Sequence, residues 1–349
     1  MRVAGGGNVL VFVPLHEEMA YIDSRIGELG FENLSPGGYR RGDNPCAYWR
    51  KAPDGTNFIL RFRILDAEER DVMGNISAAA QVSLSLALYK PKIAFLVGLA
   101  GSLRPAEAGL GDVVISDSAK FLFPDKLKTL SPENETVVDG ASLSDDAVSG
   151  ARKVLVDDRK IFLNHSFFRL RRDAVHSPRA RDLLRRYRDH LATSSPADLP
   201  EPGMAPLGPW SIRFGSILGS DWVVDSEAFV KFVLDRDANS RFDWYVQTAR
   251  LVPRKAEEAT KRNKWSDDRL LAVDMESYGF LKAADAYAKA QGGDVLSAFV
   301  VRGISDLAMG KSGLDDQSGG AHRERAVRNA AQVTLDLIAR LAEWGLGRG

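Results

Sequence analysis

The stretch from Leu270 to Asp306 constrains the fold most tightly. An apolar run, Leu270-Leu271-Ala272-Val273, ends in Asp274-Met275-Glu276, and a second, Leu296 to Val301, leads through Arg302-Gly303-Ile304-Ser305 to Asp306. Between the two runs, Phe280, Ala283, Ala284, Tyr287 and Ala288 recur at helical spacing. Gly292-Gly293 supplies a C-terminal stop for that helix. The pattern predicts strand, helix and buried strand, with acids where the apolar elements end. Open α/β sheets hold ligands at the carboxyl ends of their strands, and a carboxyl group buried there can keep its proton. Taken singly, Glu276 would serve equally well as an acid at a helix start, and Asp306 as part of a solvated turn.

The rest of the chain repeats this alternation. Asn8 to Leu15, NVLVFVPL, predicts a strand preceded by Gly5-Gly6-Gly7. His16-Glu17-Glu18 follows, and Met19, Ile22, Ile26 and Leu29 predict a helix after it. Phe58 to Ile64 alternates as a strand with one wetter face, and Met73-Gly74 opens a small-residue helix that runs through Tyr89. A buried strand, Ile93 to Val97, runs into Gly98-Leu99-Ala100-Gly101-Ser102, where glycines let the backbone approach a ligand closely. Gly109-Leu110-Gly111-Asp112 leads into Val113 to Ser116. Ser177-Pro178 starts a helix with an apolar stripe of Leu183, Leu184, Tyr187 and Leu191 and an arginine-loaded opposite face. Prolines from Pro196 to Pro209 mark an extended loop, and Arg325 to Trp344 predicts an amphipathic C-terminal helix.

Composition narrows the function classes. Of 349 residues, 44% are hydrophobic, enough for a large core. Lys+Arg and Asp+Glu both number 47, so the chain as a whole has no bias toward nucleic acid. One cysteine, Cys46, excludes an intramolecular disulfide framework and a multi-cysteine metal site. The five histidines show no metal-ligand spacing. No signal peptide is evident and no apolar run approaches a membrane span, so the expectation is a cytoplasmic protein without a membrane partner.

Val273-Asp-Met-Glu-Ser277 followed by Val300-Val-Arg-Gly-Ile-Ser-Asp306 resembles the C-terminal signature of the purine nucleoside phosphorylase and methylthioadenosine/adenosylhomocysteine nucleosidase superfamily. Gly98-Leu-Ala-Gly101 with Leu110-Gly-Asp-Val-Val-Ile-Ser116 is similar to its central motif, and Phe214 to Asp225 to its base-binding strand and loop. The resemblance implies a single α/β domain over residues 1–349, with a central mixed, twisted sheet flanked by helices. Expansions fall at about 117–212 and 226–269. It implies an enzyme that cleaves the N-ribosidic bond of a purine nucleoside or nucleotide. No metal or organic cofactor is implied, and a homo-oligomer is.

By the same resemblance, Met275 lies under the ribose, Glu276 binds the ribose hydroxyls, and Asp306, after Ser305, faces N7 of the purine. Glu18, last of the acids after the first strand, takes the place of the base that activates water in the nucleosidase branch, with Glu17 the fallback. Gly98, Leu99 and Ala100 line the substrate, and Trp222, Val223 and Val224 meet the purine. Leu99 stands where nucleosidases commonly carry Ser or Thr. No arginine lies between Val9 and Glu18 or from Phe95 to Leu103, and a buried phosphate needs charge-assisted donors. Water is therefore favoured over phosphate as nucleophile.

Two alternatives stay open: a phosphate-dependent phosphorylase, and a nucleoside-binding sensor that kept the fold without turnover. Arg169, Arg171 and Arg172 could hold a 5′-phosphate, against a solvated helix face in which the nearby arginines pair with Asp173, Asp182 and Asp189.

Overall fold

The structure is a computed structural model. It describes residues 8–15, 18–23, 31–33, 46–51, 58–63, 74–124, 151–156, 159–164, 168–170, 175–176, 178–193, 209–234 apart from 222, 228 and 232, 269–310 apart from 294, and 320–344. Glu17, Ile26, Leu29, Trp222, Arg171, Arg172 and the Pro196–Pro206 part of the proline-rich loop lie outside the described residues.

Three continuous apolar segments form the middle of the sheet. β1 (Asn8–Val13) lies parallel to β5 (Ile93–Ser102), and β5 lies parallel to β15 (Ser297–Asp306). Parallel strands are buried on both faces, which is why these segments read as unbroken hydrophobic runs. Their side chains divide by parity. Leu10, Phe12, Ala94, Leu96, Ala298 and Val300 enter one core, and Val9, Val11, Phe95, Val97, Phe299 and Val301 the other. Phe95 and Phe299 stack across the β5–β15 pair with centroids 5.1 Å apart.

Helices cover both faces. On the first lie α1 (Asn75–Tyr89), through Val82 and Leu86, and α3 (Ser277–Ala290), through Phe280 and Ala284. On the second lie α2 (Pro178–Thr193), through Leu183, Leu184 and Tyr187, and α4 (Ala321–Glu343), through Val327 and Ala331. The sequence-predicted stripe of α2 is the buried one, while Arg181, Arg185 and Arg186 are exposed: Arg185 pairs with Asp182 at 2.6 Å and Arg181 with Asp117 at 2.9 Å. Gly293 takes a positive φ and donates its N–H to Ala288 O, closing α3 where Gly292-Gly293 predicted a stop. α4 begins four residues ahead of the expected start at Arg325.

The remaining strands make the sheet mixed. β4 (Phe58–Arg63) runs parallel to β1, and β14 (Leu270–Asp274) pairs antiparallel with the end of β5 and parallel with β13 (Ser216–Gly219). β6 (Val113–Ser116) pairs antiparallel with β15. Thirteen described strands share this mixed sheet, and the architecture is the α/β one expected. β5 departs from expectation in one respect. It does not turn at Gly98 but continues through Ser102, because β15 pairs with it up to the Asp306↔Gly101 partners. The glycines there are strand residues with close neighbours and not a loop. The wetter face expected for β4 falls on side chains outside the described set.

Candidate functional site

The ends of β1, β5, β14 and β15 meet at one cavity of about 280 Å³. Leu15 and Glu18 reach it from the segment after β1, Leu99, Ala100 and Gly101 from β5, Met275 and Glu276 from the turn after β14, and Ser305 and Asp306 from the end of β15. Val223 and Val224 close another side, Val224 buried and Val223 42% exposed at the mouth. The structure thus brings the sequence-predicted residues together, with two exceptions. Gly98 lies beneath the lining, and Trp222 is outside the described residues.

Glu18 is held by backbone donors. Its Oε1 accepts the Leu99 N–H at 3.1 Å and its Oε2 the Leu15 N–H at 3.3 Å. Leu99 therefore contributes its amide here, while its partly buried side chain packs against the core. Burial pushes the Glu18 carboxyl up to about 7, against the opposing pull of the Arg302 charge and these two hydrogen bonds. A carboxyl group poised near neutrality suits a general base.

Beneath the cavity lies a buried charge cluster that sequence reasoning missed. Arg302 is fully buried in β15. It donates from Nε to Asp274 Oδ2 at 2.7 Å and from Nη2 to Glu276 Oε2 at 3.0 Å. Asp274 caps α3 instead of Glu276: its carboxylate accepts the Ser277 N–H at 3.1 Å and the Ser277 hydroxyl. Glu276 Oε1 accepts the Gly74 N–H at 3.3 Å, which ties the start of α1 to the site. Burial raises the Glu276 pKa, opposed by Arg302 and reinforced by Asp274 and Glu18. Burial alone would lower the Arg302 pKa, but Asp274, Glu276 and Glu18 raise it, so the guanidinium stays charged.

The strand register explains Gly98. Arg302 is paired with Gly98 across the β5–β15 ladder, so its side chain passes over residue 98. A Cβ there would collide with Arg302 Nη1 and stand 2.7 Å from Glu18 Oε2. Glycine is therefore required here, because the Arg302 guanidinium and the Glu18 carboxyl already fill the position of a side chain. Arg302 Nη1 is buried and, among the described residues, has no hydrogen-bond partner.

Asp306 sits where β15 breaks register between Ile304 and Asp306. Such irregularities re-aim side chains. Asp306 Oδ1 accepts the Ala308 N–H at 2.9 Å, and Oδ2 accepts the Ser305 hydroxyl at 3.0 Å. Ala308 holds a left-handed φ of 55°, a conformation kept by surrounding contacts such as its carbonyl accepting the Ser226 N–H. A Cβ on Gly101 would stand 2.6 Å from Asp306 Oδ1, so this glycine also makes room for a site carboxylate. Arg323, in the first turn of α4, lines the cavity as well, a residue the sequence did not single out.

No family model and no curated protein matches the chain. Solved structures do. A Helicobacter pylori 5′-methylthioadenosine/S-adenosylhomocysteine nucleosidase with 5′-methylthioadenosine in its active site aligns with a TM-score of 0.51 and 14% identity, covering 97% of this chain and 100% of that one. The S. pneumoniae nucleosidase of the same name aligns at 0.51 and 14%, covering 96% and 99%. Futalosine hydrolase of Helicobacter pylori aligns at 0.50 and 14%, covering 96% and 98%. At this identity the likeness speaks to architecture, and in that respect it is nearly end to end: the chain has the α/β fold of the nucleoside phosphorylase and nucleosidase superfamily.

Proposed function

We propose that the protein hydrolyses the N-ribosidic bond of a purine nucleoside or nucleotide and releases the free base. The observation that carries this reading is one cavity that gathers Glu18, Glu276 and Asp306 at the ends of β1, β14 and β15. A water in that cavity would donate a proton to Glu18. As its oxygen bonds to C1′ of the ribose, the C1′–N9 bond breaks and its electron pair passes to the purine. Asp306 supplies or stabilises the proton that the departing base takes at N7, and Glu276 steadies the positive charge growing on the ribose through its hydroxyls. Val223 and Val224 bound the purine.

Arg323 is the observation that favours a second reading, phosphorolysis, because it puts a guanidinium in the same cavity. Chromatography of adenosine incubations with and without inorganic phosphate separates the two. Hydrolysis gives equal rates of base release and free ribose in both. A strict phosphate requirement with ribose 1-phosphate as product would overturn it, and a nucleoside that binds without turnover would favour a sensor.

The resemblance also implies a homo-oligomer. In its support, α1 contains no charged residue yet exposes Ile76, Leu84 and Leu88 at helical spacing. Sedimentation equilibrium is expected to return a multiple of the chain mass, and a monomer at all concentrations would dismiss the assembly.

A further inference from the structure

We infer, resting on the nucleosidase reading, that Asn75 is a positioning residue: its side-chain amide sets the purine-facing loop 220–226 against the turn that carries Glu276, so that base and sugar are gripped as one unit. Asn75 is the first residue of α1 and is buried. Its Oδ1 accepts the Gly279 N–H at 2.9 Å, one of the amides at the start of α3 that the helix itself cannot satisfy. Its Nδ2 donates to the Ser220 carbonyl at 3.3 Å and to Asp221 Oδ1 at 3.2 Å. The preceding residue, Gly74, donates its N–H to Glu276. Two glycines clear the room for this junction. A Cβ on Gly219 would stand 2.9 Å from Asn75 Oδ1, and one on Gly279 would collide with the Asn75 carbonyl.

A buried amide needs partners, but not particular ones. Those of Asn75 all adjoin the cavity. Gly279 lies in the first turn of α3, just after Glu276, and Asp221 lies two residues ahead of Val223. The far end of the loop is fixed on the other side of the site: the Ser226 N–H reaches the Ala308 carbonyl at 3.0 Å, and the Ala308 N–H reaches Asp306. The loop thus spans from the ribose carboxylate to the acid that serves the purine. Val223 and Val224 offer the base only dispersion contacts, and a gap of about 0.5–1 Å forfeits a quarter to a half of such a contact. The hold on the purine therefore depends on what fixes the loop, and Asn75 fixes its near end.

Asn75→Asp separates the two arms of this junction. It keeps the shape and the acceptor for Gly279, where a carboxylate suits a helix N-terminus. It loses both donated bonds and faces the Asp221 carboxylate. The test uses the full-length protein as wild type, Asn75→Asp, Asn75→Asp combined with Asp221→Asn, and Asp221→Ala. Steady-state kinetics gives kcat and KM for adenosine and inosine, and calorimetry gives Kd for adenine and hypoxanthine. Asn75→Asp is expected to raise KM, and the Kd of whichever base wild type binds tighter, by about 10-fold, the worth of a hydrogen bond. kcat should stay within about twofold of wild type, as when binding common to ground and transition states is lost. The double variant restores the 75–221 hydrogen bond with donor and acceptor exchanged and should recover part of the loss. Asp221→Ala, at an exposed position, should raise Kd about threefold, and it carries the test if Asn75→Asp does not fold. Unchanged base affinity in Asn75→Asp or in Asp221→Ala overturns the inference. So does a loss that the double variant does not relieve, which would mark Asn75 as a tie between α1 and α3 alone. Wild type that binds a base but turns over neither nucleoside overturns the nucleosidase reading, and the Kd values then decide the role of Asn75. Wild type that neither binds nor releases a base overturns both.

Discussion

Replacing Glu18 with glutamine is expected to lower purine release by about 10²- to 10⁴-fold, the usual contribution of a positioned general base. Glutamine keeps the shape and can still accept the Leu99 N–H, so circular dichroism should report an intact fold. The pH dependence carries the same signature. Burial lifts the Glu18 carboxyl to about 7, and the base must be ionised to take a proton from water. In wild type kcat/KM should therefore rise with pH through about 7, and the residual activity of the variant should lack that limb.

Stability responds with the opposite sign. The folded state holds the Glu18 proton more tightly than the unfolded chain does, so wild-type stability is lost as pH rises from 4.5 through about 7. That span corresponds to on the order of 3 kcal/mol. Thermal melts should show Glu18→Gln gaining on wild type as pH rises to 8. A variant with near wild-type turnover and an unchanged pH profile would remove Glu18 from the chemistry.

The second large effect is expected at Arg302. Changing it to methionine keeps much of its volume but leaves Asp274 and Glu276 buried without their cation. Breaking a buried pair in this way costs about 3–5 kcal/mol, because the remaining charges are uncompensated. Urea denaturation at neutral pH should show a loss of that size. The deficit should shrink on acidification as Glu276, whose pKa burial raises, takes up its proton. A loss below about 1 kcal/mol would mean that the ion cluster does not hold the turn after β14 in place. Turnover should fall as well, because Arg302 positions Glu276.

Arg302 also shows where the sequence stops being informative. The strands around it were legible, since β1, β5 and β15 are buried on both faces and read as continuous apolar runs. Glu276 and Asp306 stood out as acids at the ends of such runs. Arg302 did not, although a signal existed. A lone guanidinium between Val301 and Gly303 in a buried strand requires a buried anion, and Asp274 closes a strand of the same kind. What was missing was the pairing, which is a property of the sheet register.

Gly98 has the same history. Its neighbours suggested a loop that approaches ligand, yet the Arg302↔Gly98 register places it under a guanidinium within a strand. Arg323 was hidden for another reason. It lies in the first turn of an amphipathic helix among His322, Glu324 and Arg325, where charges ordinarily face water, and only the seating of α4 on β15 turns it toward the cavity. On α2, by contrast, Arg181 and Arg185 lie outward, paired with Asp117 and Asp182.

Hydrolysis requires water to attack C1′ of the ribose, with Glu18 taking its proton. Incubation with adenosine and with 5′-substituted adenosines in phosphate-free buffer enriched in ¹⁸O water, followed by mass spectrometry of base and sugar, reads that step directly. The expected products are free adenine without label and a ribose carrying one ¹⁸O at C1′. An unlabelled sugar, or release of adenine only after phosphate is added, would contradict it.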